Sequence, residues 1–342
     1  MNERIARLRE QLEQPLLVSH PTNVFYLTGF SSSNTMLLVE PERVRLFTDF
    51  RYIDAARAVE GVEVTETRRD VIGHLGELVS GRIGFEATTM THAQARRLKD
   101  AVPTEAVVEK LRAVKDETEL ASLRRACAIT DRMFERLSTE VPFVGRTELD
   151  VAWDIARLHH EEGAAVPAFE SIVGSGPTGS RPHARAGERT IGAGELVVID
   201  TGCIVDGYSS DCTRTFATGS VNGQAREVYE IVLAAQEAAL AAIRAGLPGV
   251  EADAVARRIV DDTEFAGMFG HGLGHGLGLD VHELPRMSTE TTDVLEPGNV
   301  VTVEPGIYVA DSFGVRIEND VVVTADGIED LTGFRNDWIE VA

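Results

Sequence analysis

The spacing of apolar residues changes character along this chain. Over the first hundred or so residues, short runs rich in β-branched and aromatic side chains alternate with segments of helical spacing. The runs are TMLLVE (35–40), VRLFTDF (44–50), VEVTET (62–67) and RIGFE (82–86); the helical stretches are 2–13, 51–59 and 91–101. That alternation predicts an α/β domain over residues 1–112. From 113 onward longer helical patterns come first. ETELASLRRACAITDRMFERL (117–137) predicts a long amphipathic helix opening near Asp116. RTELDVAWDIARLHHEEG (146–163) predicts a second, with Thr147 and Asp150 as a capping box and Gly163 as its stop. Two further helices are expected over 224–245 and 251–262. Between and after them lie strand-like runs: ELVVIDTG (195–202), GYSSDCTRTF (207–216), NVVTVEPGIYV (299–309) and VRIENDVVVT (315–324). Residues 113–342 therefore read as an α+β domain with largely antiparallel strands. Neither a solenoid period nor a low-complexity tract is found.

Charge narrows the partners. Asp and Glu number 55 against 33 Lys and Arg, a formal net charge of −22. Only Lys99, Lys110 and Lys115 are lysines; the other cations are arginine. A nucleic-acid surface needs the opposite sign, so no nucleic-acid partner is expected. Such acidity fits a protein adapted to high salt, where screening relieves self-repulsion, or an acidic protein from an arginine-biased genome. The N-terminal stretch MNERIARLREQLEQ has no apolar core of a signal peptide, and no run approaches the roughly 18 apolar residues of a membrane span. Cys127, Cys203 and Cys212 are odd in number and form no CxxC pair, which argues for a reducing compartment. A soluble cytoplasmic protein, with no membrane partner, is expected.

Two glycine-rich stretches carry candidate chemistry, and one is a decoy. GSGPTG (174–179) fits a dinucleotide-binding pattern, but Pro177 and Pro182 argue against the helix such a loop must open. HGLGHGLGLDVHE (271–283) holds three histidines, His271, His275 and His282. Alternating glycines cost about 1 kcal/mol each in a helix, so an extended segment is expected, with something approaching its backbone closely. A substrate is the expected visitor.

In VVIDTGCIVDGYSSDCTRTF (197–216), Asp206-Gly207 is a hairpin signal. Folding the arms about it sets Asp200 opposite Thr213 and Asp211 diagonal to Asp200 on the same face, about 7–8 Å away at Cα. Glu304 and Glu318 lie in apolar runs of their own, and buried carboxylates want cations. Arg316 can pair with one of them but not with four. Four carboxylates and an imidazole form an oxygen-rich set suited to Mn, Fe, Co or Zn, and two divalent ions would neutralise the four acids. Such a pair can activate a water and polarise a carbonyl.

In this order and these contexts, Asp200, Asp211, His275, Glu304 and Glu318 resemble the dinuclear-metal Xaa-Pro peptidases. These are the prolidases and aminopeptidases P of the pita-bread fold, relatives of methionine aminopeptidase and creatinase. NVFYLTGF, FTDFRYIDAA, IGFE and LRAVKDETEL look like the creatinase-type N-terminal domain; IDTG, SDCTRTF, GHGLGLDVHE, VEPGIY and VRIEND look like the catalytic one. The resemblance implies that Asp200 chelates one ion, that Asp211 and Glu318 bridge both, and that His275 and Glu304 hold the other. Mn²⁺ or Co²⁺ is the expected metal, with Zn²⁺ or Fe²⁺ as alternatives. It further implies that Glu304 can shuttle a proton. His183 and His282 would touch the substrate and stabilise the tetrahedral intermediate, and His271 and Arg316 would line its pocket. Arg286 falls where prolidases place an arginine for a dipeptide's carboxylate. The implied substrates are small proline-containing peptides and the implied assembly is a homodimer.

The resemblance implies metal-dependent hydrolysis of Xaa-Pro bonds by a prolidase-like Xaa-Pro dipeptidase. Three alternatives stay open: an aminopeptidase P, a hydrolase of another small amide, or a non-catalytic binding module, which typically loses ligands that this chain retains.

Overall fold

The structure, a computed structural model, describes residues 3–79 and 81–342. The chain divides into two compact units, Met1–Arg112 and Ala113–Ala342.

The first unit is built on a six-stranded mixed sheet. From edge to edge its strands are Glu63–Thr67, Val44–Asp49, Thr35–Val39, Leu16–Val18, Ile83–Glu86 and Ala101–Thr104. The four expected strands are all present. Leu16–Val18 and Ala101–Thr104 are additional, and both pair in parallel with Ile83–Glu86. Such pairing joins residues far apart in sequence, so local periodicity carries no trace of it. The helix expected over 91–101 shrinks to His92–Ala95, closed at its start by a Thr91–Gln94 capping box. That over 51–59 shrinks to Ile53–Ala56, and the first helix is Glu3–Glu10, with residue 2 outside the described residues. Helices Pro21–Thr28 and Val71–Leu78 were not expected. Pro21–Thr28 has no capping side chain of its own. The buried Glu86 carboxylate does that work, accepting the Ser19 and His20 backbone N–H groups at 2.6 Å each.

In the second unit the expected helices form as Glu117–Glu140, Glu148–Glu161, Gly223–Ala242 and Gly249–Asp261. Asp116 with Glu119 and Thr147 with Asp150 make reciprocal capping boxes, and Gly163 adopts φ 102° just past the second helix. Two sheets matter for the site. One runs Ile339–Glu340, Cys212–Ala217, Leu196–Thr201, Ile172–Ser175; the other runs Glu283–Met287, Gly274–Gly276, Val300–Val303, Asn319–Val323, Ile328–Asp330. Pairing within them is antiparallel except between Cys212–Ala217 and Ile339–Glu340.

Each sheet buries one face under a pair of helices. Val197, Ile199, Cys212 and Phe216 pack with Phe134, Leu137, Ile155 and Leu158 of the first pair. Val301, Val303, Val321 and Val323 pack with Val228, Val232, Ala256 and Val260 of the second. Strand side chains alternate between faces, so the intervening positions turn away from the helices. Asp200, Asp211, Glu304, Glu318 and Asp320 all have that opposite parity. The helix cores thus place the acids on the inner faces.

Both glycine-rich stretches serve backbone packing. A Cβ on Gly274 would stand 2.0 Å from the Thr302 carbonyl oxygen, and one on Gly276 would stand 2.1 Å from that of Leu284. The backbone of neighbouring strands therefore packs close against the histidine segment, while Gly272 and Gly274 also line the cavity described below. In GSGPTG, Ile172–Ser175 leads into a short 3₁₀ turn, Gly176–Ser180, rather than an α-helix. A Cβ on Gly179 would stand 2.7 Å from the Gly174 carbonyl oxygen, so these glycines allow the turn to fold back on its own strand.

Candidate metal centre and active-site cavity

Asp206 and Gly207 both take positive φ, 51° and 89°, at the two-residue turn of the hairpin. The arms keep a single register: Val205 faces Tyr208, Ile204 faces Ser209, Thr201 faces Cys212 and Asp200 faces Thr213. Asp211 consequently sits diagonal to Asp200, as the spacing predicts. Glu304 and Glu318 are placed differently from expectation. Each lies at a break between two strands, Val300–Val303 and Gly306–Val309 for Glu304, Phe313–Arg316 and Asn319–Val323 for Glu318. Pro305 has no N–H to continue the ladder. The Glu318 N–H instead donates to the Thr213 carbonyl at 3.1 Å, tying this break to the aspartate-bearing strand.

These placements converge on His275, whose Nε2 lies 3.3 Å from Glu304 Oε1 and 3.8 Å from Asp211 Oδ2. Ligand atoms of Asp211, His275 and Glu318 all fall within 4.8 Å of one another. The His275 Nδ1–H donates to the Gly276 carbonyl at 3.0 Å, which leaves Nε2 as a bare lone pair facing carboxylates. Burial lowers the His275 pKa, keeping the ring neutral. Burial pushes Asp211 and Glu318 well above the ordinary carboxylate range, and repulsion from neighbouring acids adds to it. Burial likewise raises Glu304 to about 7. Asp200 Oδ1 and Asp211 Oδ1 are buried without a hydrogen-bond partner. Orphaned carboxylate oxygens and an imidazole lone pair on one wall fit divalent cations and fit little else.

Beside the acids stands a polar chain. Arg316, 3% exposed, donates to Asp200 at 2.6 Å, to the Thr213 hydroxyl at 3.0 Å and to the Tyr308 hydroxyl at 2.8 Å. Its Nη1 also donates to the Pro182 carbonyl at 3.3 Å. The Tyr308 hydroxyl lies 2.9 Å from His271 Nε2. His271 Nδ1 donates to the Gly272 carbonyl at 2.9 Å, so Nε2 accepts from Tyr308. Burial holds His271 at a pKa of about 4, neutral at physiological pH.

A cavity of about 500 Å³ opens over these groups. Asp200, Asp211, His275, Glu304 and Glu318 line it, as do His183, His271, His282 and Arg316. His183 and His282 are exposed at its rim, and the His282 ring contacts that of His275 with centroids 4.3 Å apart. Arg286 is the one expected site residue not found on the wall. It pairs directly across from His275 yet is exposed, and its charge helps lower the His275 and His282 pKa values after burial.

Three participants escaped the sequence reading. Thr213 donates from its hydroxyl to Glu318 at 2.7 Å, and Tyr308 links His271 to Arg316. Asp320 accepts the Asp211 backbone N–H at 2.9 Å and the Cys127 thiol at 3.3 Å, and burial raises its pKa to about 8. Its parity with Glu318 was a usable signal; the two hydroxyls offered none.

Comparison with known proteins agrees with this geometry. Residues 121–325 match metallopeptidase family M24, and residues 4–114 match the creatinase/prolidase N-terminal domain. The chain belongs to family M24. It is a metallopeptidase with a creatinase-type N-terminal domain and a pita-bread catalytic domain. This M24 chain is similar to the Xaa-Pro dipeptidase of Pyrococcus horikoshii, at 33% identity over 352 residues and 99% of each chain. It is similar in structure to an Xaa-Pro dipeptidase from Bacillus anthracis, at 34% identity, TM-score 0.95 and 99% of both chains. An X-Pro aminopeptidase from Thermotoga maritima is also similar, at 33% identity and TM-score 0.88, covering 98% of this M24 chain and 100% of its own.

Proposed function

We propose that this chain hydrolyses Xaa-Pro peptide bonds with two divalent metal ions, as an Xaa-Pro dipeptidase. The observation that carries the reading is the unprotonated His275 Nε2 among buried, partnerless carboxylate oxygens, in a chain alike over its whole length to enzymes of that name. Asp200, Asp211, His275, Glu304 and Glu318 hold the ions, Mn²⁺ or Co²⁺ by preference, with Zn²⁺ or Fe²⁺ also suited to the donors. When bound, the ions supply an activated water and a Lewis acid for the scissile carbonyl. His183, on the rim, donates to the carbonyl oxygen as charge develops there. His282 steadies the departing ring nitrogen, which must gain a proton, and Glu304 is placed to carry one. His271 and Arg316, joined through the Tyr308 hydroxyl, line the pocket for the proline ring, and Arg286 adds positive charge on the His275 side of the mouth. A homodimer in the cytoplasm is part of the same proposal; all three cysteines are buried and free, as a reducing compartment requires.

Metal analysis combined with turnover of Xaa-Pro, Xaa-Pro-Xaa and Xaa-Ala peptides tests this reading. About two ions per chain and a roughly 10–200-fold preference for proline over alanine are expected. Indifference to proline would point to another small amide as substrate. The aminopeptidase reading draws support from the exposed position of Arg286, outside the cavity wall, and from the likeness to the Thermotoga enzyme. Faster turnover of Xaa-Pro-Xaa than of Xaa-Pro would favour it.

A further inference from the structure

Glu148 opens the helix Glu148–Glu161, is 1% exposed and does not line the cavity. Its carboxylate is shared between two distant points of the chain. Oε1 accepts the Ser175 N–H at 2.9 Å and the Ser175 hydroxyl at 2.7 Å, and Oε2 accepts the Gly187 N–H at 3.3 Å. The Ser175 hydroxyl in turn accepts from Arg189 Nη1 at 2.6 Å, which turns its own proton toward Glu148. Ser175 and Gly187 are the ends of one loop. Strand Ile172–Ser175 finishes at the first, the 3₁₀ turn Gly176–Ser180 follows, and Pro182, His183, Ala184 and Arg185 then line the cavity. Backbone bonds fasten the return, from the Leu149 N–H to the Gly187 carbonyl and from the Glu148 N–H to the Arg189 carbonyl, at 3.0 Å each. The His183 ring is exposed, so its place is fixed by the backbone that carries it.

We propose that Glu148 is a positioning residue for His183, pinning both ends of the loop that presents this histidine to the scissile carbonyl. A buried carboxylate is costly unless hydrogen-bonded, and this one is satisfied by the two ends of that loop. Holding the ends together removes conformations that the intervening residues would otherwise sample. A donor to a developing oxyanion works only when it is already in place, and a shift of about 1 Å can cost about 100-fold in rate. This inference rests on the Xaa-Pro reading, which assigns His183 to the carbonyl, and it names the group that holds His183 there. None of the three carboxylate bonds involves a metal-binding acid, so they persist when the ions are bound.

Glu148→Gln keeps the side chain's size and one acceptor oxygen, but its amide NH₂ must face either the Gly187 N–H or the Ser175 donors, which releases one end of the loop. In the metal-loaded enzyme kcat for Leu-Pro is expected to fall about tenfold, with KM within about twofold and metal content unchanged. In a His183→Ala background the same change is expected to alter kcat by less than about twofold, because no ring is left to misplace. Trypsin gives a readout independent of turnover. Pro182 protects the bond after Arg181, so a released loop should be cut after Arg185 several-fold faster than in the parent, with the rest of the chain intact. Ser175→Ala leaves both backbone N–H groups on the carboxylate. It is expected to show the same pattern at a few-fold, and it carries the test if Glu148→Gln does not fold. An equal loss of kcat with and without His183, or cleavage after Arg185 no faster than in the parent, would overturn the assignment while the Xaa-Pro activity stood. A wild-type enzyme that cleaves no Xaa-Pro peptide would overturn the functional reading, and this inference with it.

Discussion

His275 Nε2 lies 3.3 Å from Glu304 Oε1 and yet has no proton to give it, because the ring's proton is on Nδ1 and committed to the Gly276 carbonyl. Two acceptors facing each other at that distance need a proton or a cation between them, and the raised Glu304 pKa of about 7 is the proton's share of that demand in the metal-free chain. The same deficiency recurs at Asp200 Oδ1 and Asp211 Oδ1, each buried without a partner. These atoms form one positive-charge deficit spread over several strands.

Stripping the metal should expose that deficit as a pH effect on stability. Burial raises Asp211 above its ordinary range, Glu304 to about 7 and Asp320 to about 8. Between an unfolded carboxylate pKa of about 4 and those values, the folded apo chain binds more protons than the unfolded one, so its stability falls as pH rises. Apo enzyme should melt at a lower temperature at about pH 8 than at about pH 5, and Asp211→Asn should flatten the dependence. Metal reverses the order, because its ligands must be deprotonated. Holo Asp211→Asn or Glu318→Gln should lose activity by at least about 100-fold while keeping the fold. Apo melting temperatures independent of pH in chelator would contradict the raised pKa values.

Lys115 and Glu283 form an ion pair at 3.0 Å with side chains 1% and 4% exposed, next to His282. Removing one partner leaves a buried charge, so Lys115→Met should cost about 3–5 kcal/mol by denaturant unfolding. The double change Lys115→Met with Glu283→Leu should recover much of that loss. A single variant as stable as the parent would mean that water already reaches the pair.

Tyr308→Phe removes one hydroxyl that serves both His271 and Arg316. Each of those groups then loses a buried partner, worth about 1–3 kcal/mol. KM for an Xaa-Pro substrate should rise by roughly tenfold, while metal content stays unchanged by elemental analysis. Loss of metal instead would mean that Tyr308 acts on the metal ligands rather than through His271 and Arg316.

A formal charge of −22 should make the protein sensitive to salt. If the acidity is an adaptation, melting temperature and activity should both climb as KCl goes from dilute to about molar, because screening relieves net repulsion more than it weakens exposed pairs such as Arg226–Glu230. Equal stability in dilute buffer leaves genome bias as the explanation of the composition.

Much of the site was legible before folding because its grammar is local. Asp206-Gly207 sets the hairpin register, and the alternation in VVID sends Asp200 away from the helix-covered face. Caps at Asp116 and Thr147 mark their helices without help from distant residues. Glu304 and Glu318 stood out because carboxylates in apolar runs are costly unless compensated. Elsewhere local pattern misled or fell silent. The strand Ala101–Thr104 exists only through its parallel partner Ile83–Glu86, and the helix expected over that region gave way to it.

By itself, then, the sequence determined the acids in apolar runs that the site gathers, the long helices and most strands of the second unit, and the hairpin that aligns Asp200 with Asp211. These follow from periodicity, caps and turns, interactions that reach only a few residues. Tertiary structure alone decided that the glycines of 272–278 admit neighbouring strands, that Tyr308 joins His271 to Arg316, and that Arg185 rather than Arg286 reaches the cavity wall. Those outcomes depend on how close distant backbones come and which way a loop turns. Both are set by the packing of two helix-covered sheets against each other's acidic inner faces, a fact that no local window of the chain contains.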